Sequence, residues 1–153
     1  MKFNVNQQDI QKSLSYCQGV IEKRSTLPIL SNVMLDANNS KLTVVATDLD
    51  LIFINIVPNI EIIEEGKTTT SSSIMYDIVR KFSAGNKIQF SSISENKLHL
   101  ESDKSVFNLN CISAKEFPLA NEDFNKNEFS LNSKKLLKLL NKCKFSISND
   151  ETR

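Results

Sequence analysis

Two carboxylates one residue apart, Asp48 and Asp50, a single histidine, His99, and three scattered cysteines are the side chains with the chemistry for catalysis or metal binding. A carboxylate pair can hold a divalent cation or exchange protons with a substrate. Two carboxylates alone make a poor site, and an aspartate after Thr47 more simply closes a turn by accepting backbone hydrogen bonds. His99 lies between Leu98 and Leu100 in an alternating segment, so it faces away from them and reads as a surface or partly buried structural histidine. Cys17, Cys111 and Cys143 show neither zinc-ligand spacing nor the density of a disulfide scaffold, which predicts reduced thiols in a cytoplasmic protein. The glycines, Gly19, Gly66 and Gly85, are too dispersed for a P-loop or a dinucleotide fingerprint. The expectation is a protein that is not an enzyme and has no catalytic residue, metal or cofactor. A small hydrolase working through Asp48 and Asp50 is the weaker option and would require a bound divalent ion.

Cations offer a second kind of chemistry. Lys134, Lys138 and Lys142 recur at helical spacing and form one stripe, widened by Lys135, opposite Leu136, Leu140 and Cys143. Such a stripe is either a face turned to phosphates or an ordinary solvated face. Lys12 and Arg80, on two earlier helical segments, carry the same pair of readings. The formal charge is only +1, so no bulk field draws the chain to nucleic acid or to anionic lipid. Any nucleic-acid role must come from where the charge is placed.

The elements that would position these residues follow from periodicity. Phe3 and Val5 alternate as a short strand, and Asn6 is positioned to cap a helix over 7–21 that buries Ile10, Leu14, Cys17 and Ile21. Pro28 imposes extended geometry on Leu27. Val33 and Leu35 mark a strand, Asn38-Asn39-Ser40 a turn, and Leu42 to Ala46 a strand. Thr47-Asp48 is a second turn, and a β-branched run from Leu49 ends at Pro58. The unit then repeats: a strand over Lys67 to Thr70, and a serine-capped helix over 72–83 burying Ile74, Ile78, Val79 and Phe82, with Gly85 as its stop. Strands follow over Lys87 to Ser91, Lys97 to Glu101 and Ser105 to Ile112. This predicts an α+β fold built from a duplicated strand-helix-meander unit, with antiparallel sheets outside and two helices on the inner face.

A second repeat lies in the residues themselves. Phe3, Val5, Asn6, Ile10, Leu14, Cys17 and Ile21 recur as Phe129, Leu131, Asn132, Leu136, Leu140, Cys143 and Ile147, every pair 126 positions apart. The expected division is a first domain over 1–120, a linker over 121–126, and the opening strand and helix (133–145) of a second domain over 127–153. One strand and one helix cannot close a core, so the chain is expected to be part of a longer protein.

Arg24-Ser25-Thr26-Leu27-Pro28-Ile29-Leu30-Ser31-Asn32, Thr47-Asp48-Leu49-Asp50 and Glu116-Phe117-Pro118 resemble, in order, the first-domain signatures of the bacterial sliding clamp, the beta subunit of DNA polymerase III. Met1-Lys2-Phe3 and Tyr76-Asp77-Ile78-Val79-Arg80 are similar too. The resemblance implies the DNA clamp fold and a ring of two identical subunits of three domains each. Helices would line the hole, enclosing duplex DNA without sequence preference, and DNA polymerase III and the clamp loader would be the partners. It implies DNA contact for Arg24, otherwise a solvated helix-end cation, and extends that role to Lys12, Arg80, Lys134, Lys138 and Lys142. It also implies a basic position near DNA for Arg153. Asp150 stands where the family carries a DNA-contacting glutamine, and Ser73 where it carries a basic residue. For Phe107 and Leu109, with Lys104 available for an ion pair, the resemblance implies a subunit interface; the ordinary alternative is a core stripe. Val106 replaces a further cation there.

The rival function is a protein-interaction scaffold that recruits partners without touching DNA. For this chain alone the expectation is a monomer or weak self-associate that does not load on DNA, in the cytoplasm, with no membrane role.

Overall fold

The computed structural model describes residues 1–21, 26–118 and 130–147, and the chain divides into two compact units, Met1–Ala120 and Asn121–Arg153. In the first unit, β1 (Lys2–Asn6) turns Phe3 and Val5 inward and leads directly into α1 (Gln7–Cys17). Ile10, Leu14 and Cys17 form the buried stripe of α1, and Ile21 joins the same core from the turn beyond it. The cap differs from expectation. Asn6 makes no side-chain cap bond; its amide donates to Asp9 Oδ2 at 3.4 Å, and the Gln7 N–H donates to Asn86 O at 2.9 Å.

Leu27 is extended before Pro28, which opens a single 3-10 turn over Pro28–Ser31. β2 (Asn32–Asn38) and β3 (Lys41–Thr47) form a hairpin whose turn residues, Asn39 and Ser40, both have positive φ, as a tight two-residue hairpin requires. β4 (Ile52–Val57) follows. β4 ends at Val57, beside Pro58 as expected, and a separate strand that was not anticipated, β5 (Ile60–Glu64), follows Asn59. Pro58 lacks a backbone donor and Asn59 takes φ 54°, so the β4 ladder stops at Val57 and the chain turns into β5.

The second copy is β6 (Gly66–Ser71), α2 (Ser72–Val79), β7 (Lys87–Ser94), β8 (Lys97–Ser102) and β9 (Ser105–Ile112). Ser71 caps α2 by accepting from the Ile74 N–H. The buried face of α2 is Ser72, Met75 and Val79, with Ile78 and Phe82 partly buried, whereas Ile74 is 53% exposed. Because the helix starts at Ser72 its inner positions fall at i, i+3 and i+7, which turns Ile74 outward and puts Met75 in its place.

All ladders are antiparallel, in the order β4-β3-β2-β6-β9-β8-β7-β1-β5. The two copies interlock: β1 lies beside β7 of the second copy, and β6 beside β2 of the first. The third strand of each meander, or its continuation, returns to the opening strand of its own copy. β9 pairs with β8 and, at its end, with β6; β4 pairs with β3, and its continuation β5 pairs with β1. The β1–β7 and β2–β6 ladders are what join the two copies into one sheet.

The helices α1 and α2 run antiparallel against one side of this sheet. Gln7 Nε2 donates to Val79 O at 2.9 Å at one end, and Gln18 Nε2 to Ser72 Oγ at 2.9 Å at the other. Beneath them Phe3 stacks on Phe90 with centroids 4.9 Å apart, among Ile10, Leu14, Met75 and Leu100, all fully buried. Removing a side chain of this size from water contributes roughly 1.5–3 kcal/mol. On the opposite side of the sheet Met34, Val45 and Phe117 make a smaller cluster.

In the second unit, α3 (Ser133–Cys143) starts where Asn132 Oδ1 accepts from the Lys135 N–H at 3.2 Å. Leu136 and Leu140 are exposed on it. Ser130–Asn132 form no strand, and Phe129 and the expected linker 121–126 lie outside the described residues.

Candidate nucleic-acid interface and assembly edge

The cationic candidates occupy helix surfaces. Lys12 is exposed on α1. Arg80 caps the C-terminus of α2, where the helix dipole favours a cation. Its guanidinium is 3.0 Å from Asp77 Oδ1 and lies over the Tyr76 ring, 5.9 Å from the centroid. Exposed pairs of this kind contribute about 0.2–1 kcal/mol, so they orient Arg80 more than they hold it. Lys134, Lys138 and Lys142 are exposed along α3, with no ion-pair partner among the described residues. Arg24, Arg153 and Asp150 lie outside the described residues. Ser73, where a basic residue was expected from the resemblance, donates from Oγ to Gln18 Oε1 at 3.3 Å and thereby ties α2 to α1.

The second candidate is the strand edge at β9. Val106 and Phe107 are 52% and 39% exposed, whereas Leu109 is buried. Phe107 and Leu109 lie opposite Leu100 and Leu98, and Phe107 meets Phe82 edge-on with centroids 5.8 Å apart. Leu109 is thus part of the core and Phe107 is at its rim. From Ser105 to Leu109 the side of β9 away from β8 has no ladder partner among the described residues. Lys104 is exposed at the head of this edge.

The groups that suggested other chemistry have structural partners. Asp48 Oδ1 accepts from the N–H groups of Asp50 at 3.1 Å and Leu51 at 2.7 Å, which closes the turn. His99 Nδ1 is 2.9 Å from Asn108 Oδ1 on the sheet face opposite Leu98 and Leu100. Burial pushes the Cys17 thiol up to about 12, and burial also raises Cys111, so neither is an available thiolate near neutral pH. Among the described residues no three potential metal ligands cluster, and no helix is long and apolar enough to cross a membrane.

Sequence reasoning missed two aromatic pairs. Tyr16 of α1 meets Phe53 of β4 with centroids 5.9 Å apart, the counterpart in the first copy of Phe82 against Phe107 in the second. Each joins a helix, or the turn after it, to a free strand edge. The alternation of Phe53 with Ile54 and Ile56 was the available signal, but pairing across elements needs the topology.

A duplicated strand-helix-meander unit, with paired helices on one side of interlocked antiparallel sheets, defines the DNA clamp class of protein. The chain belongs to the family of the DNA polymerase III beta subunit N-terminal domain, whose profile matches residues 1–121. The chain is 34% identical to the beta sliding clamp of Caulobacter vibrioides, over all of this chain and 41% of that relative. It is 29% identical to that of Escherichia coli, over all of this chain and 42% of the relative. Among solved structures it is similar to Caulobacter crescentus pol III beta, with TM-score 0.91 and 32% identity over 99% of this chain and 40% of that one. It is also similar to a Bartonella birtlesii sliding clamp bound to griselimycin, with TM-score 0.89 and 37% identity over all of this chain and 41% of that one. The chain therefore spans about two fifths of the length of the relatives it matches.

Proposed function

We propose that this chain supplies part of a sliding clamp that encircles duplex DNA and tethers the replicative DNA polymerase, a non-catalytic processivity role in the bacterial cytoplasm. The observation that carries the reading is the interlocked duplication itself: two antiparallel helices are held on one side of a continuous sheet, in a chain whose first 121 residues match the clamp family. Enclosure explains why a net charge of +1 suffices, because topology, not affinity, would retain the DNA. Contacts to phosphate are sequence-independent, weaken with salt and permit sliding.

Lys12, Arg24, Arg80, Lys134, Lys138, Lys142 and Arg153 are the proposed DNA-facing cations; the exposure of Lys12 and of the α3 lysines and the oriented Arg80 support the reading. Phe107 and Lys104 are proposed to meet the partner subunit in a two-subunit ring, with Leu109 supporting Phe107 from the core. DNA polymerase III and the clamp loader are the proposed partners of the longer protein. The test is a chimera in which residues 1–121 replace the matching region of the Caulobacter clamp. Retention on circular DNA that is lost on linearisation supports the reading, and release from both favours the interaction scaffold.

A further inference from the structure

Three segments that lie far apart in the sequence meet around one apolar cleft of about 390 Å³. Leu27 and Ile29 come from the turn before β2, and Leu49 from the turn between β3 and β4. Ile112 ends β9, and Pro118 follows it. The floor is fixed, because Ile29 packs on the buried cluster of Met34, Val45 and Phe117. The rim is open: Leu27 and Leu49 are 50% and 57% exposed, and Leu51, two residues on, is 53% exposed. An apolar occupant would take these leucines out of water, which is favourable in proportion to the area covered.

Leu49 is the wall residue that the turn itself does not need. Its φ is 84°, in the left-handed region that strains a side chain and suits glycine. Thr47 Oγ1 accepts from the Leu49 N–H at 3.0 Å, and Asp48 Oδ1 accepts from the next two N–H groups, so the turn is held without the leucine side chain. What the leucine adds is the wall of the cleft.

Charge sets the kind of occupant. Among the described residues Glu116 is the charged group lining the cleft, and Asp50 follows Leu49. Both are exposed, and neither has an ion-pair partner among the described residues. Lys115, next to Glu116 in sequence, lines a separate cavity with Met34 and Glu95. The cleft is thus apolar inside with carboxylates at its margin.

We propose that this cleft docks a linear peptide segment of a partner protein, in which two adjacent large aliphatic side chains are flanked by lysine or arginine. The aliphatic pair fills the space between Leu27, Leu49 and Pro118, and the flanking cations meet Glu116 and Asp50. A volume of about 390 Å³ falls at the lower end of the roughly 300–1,000 Å³ of ligand clefts, which suits side chains of an extended segment better than a folded surface. This inference does not depend on the clamp reading, since every residue of the cleft belongs to the first unit.

The test is fluorescence anisotropy of labelled, end-capped peptides titrated with the 153-residue chain. The probe is Gly-Lys-Leu-Leu-Lys-Gly, beside Gly-Glu-Leu-Leu-Glu-Gly and Gly-Lys-Ser-Ser-Lys-Gly. The lysine-leucine peptide is expected to bind at least about tenfold more tightly than either of the others. Leu49→Gly should weaken its binding at least about tenfold and leave the melting temperature nearly unchanged, because relief of strain offsets the added freedom of the unfolded chain. Glu116→Lys, an exposed change that keeps the test open should the glycine unfold the chain, should move the preference towards the glutamate peptide. Absence of binding, equal binding of the three peptides, a folded Leu49→Gly chain that binds as the wild type does, or a Glu116→Lys chain with unaltered preference each overturns the proposal.

Discussion

The Phe107 ring on β9 meets Phe82, just past the end of α2, edge-on with a centroid separation of 5.8 Å. This contact fixes the free strand edge to the helical side of the sheet while leaving Phe107 39% exposed. An aromatic pair contributes about 0.5–1.5 kcal/mol beyond its buried area. Phe107→Ala is therefore expected to lower the melting temperature by several degrees without unfolding the chain, and Phe107→Leu by less. Equal melting of the Ala variant and the wild type would show that the contact does not hold the edge.

The inner face of α2 gives a sharper contrast. Met75 is fully buried and Ile74 is 53% exposed. Met75→Ala is expected to cost about 2–5 kcal/mol, since it opens a cavity in a packed core. Ile74→Ala is expected to stay within about 0.5 kcal/mol, as for other surface positions. Denaturant titration of both variants checks this, and a reversed order would restore the face predicted from sequence alone.

Cys17 gives a pH dependence with a definite sign. Its thiol is raised from 9.0 to about 12 by burial. Unfolding releases it to ionise at the lower value, so between those two pH values the unfolded state binds fewer protons than the native state. Stability is present in full below pH 9 and falls as pH rises towards 12. The Cys17→Ala variant, although less stable overall, should show a shallower loss across that window in denaturant titrations. In thiol labelling at neutral pH, exposed Cys143 should react while Cys17 and Cys111 stay protected.

Much of the architecture was legible because the core residues carry the right periods. Phe3 and Val5 alternate into the core, and Ile10, Leu14, Cys17 and Ile21 all reach it. Asp48 and Ser71 take the turn and cap roles their side chains suit. What was illegible depended on tertiary context. The extra strand β5 was hidden because Pro58 rightly signals a strand end, and only the ladder with β1 places Ile60–Glu64 in the sheet. Asn6 makes no cap bond because its amide instead donates to Asp9 Oδ2, and the Gln7 N–H finds its acceptor in Asn86 O, seventy-nine positions on. The candidate cations were visible as a pattern on one helix, Lys134, Lys138 and Lys142, but the pattern alone does not separate a phosphate-facing side from a solvated one.

Charge reversal separates those two readings. Placed in a full-length clamp that carries this sequence, Lys134→Glu, Lys138→Glu and Lys142→Glu together should weaken DNA association and lessen its dependence on salt, by about one unit of slope for each phosphate no longer neutralised. Lys97→Glu, on β8, should change neither. An unchanged salt slope in the triple variant would mark the stripe as an ordinary solvated face.

The most direct test of a clamp role for this domain is the retention of the Caulobacter chimera carrying residues 1–121 on a closed DNA circle, measured before and after one restriction cut. Long residence on the circle and rapid loss from the linear form are expected, with polymerase processivity following the same order. Equal residence on both forms, or none on either, would contradict that role.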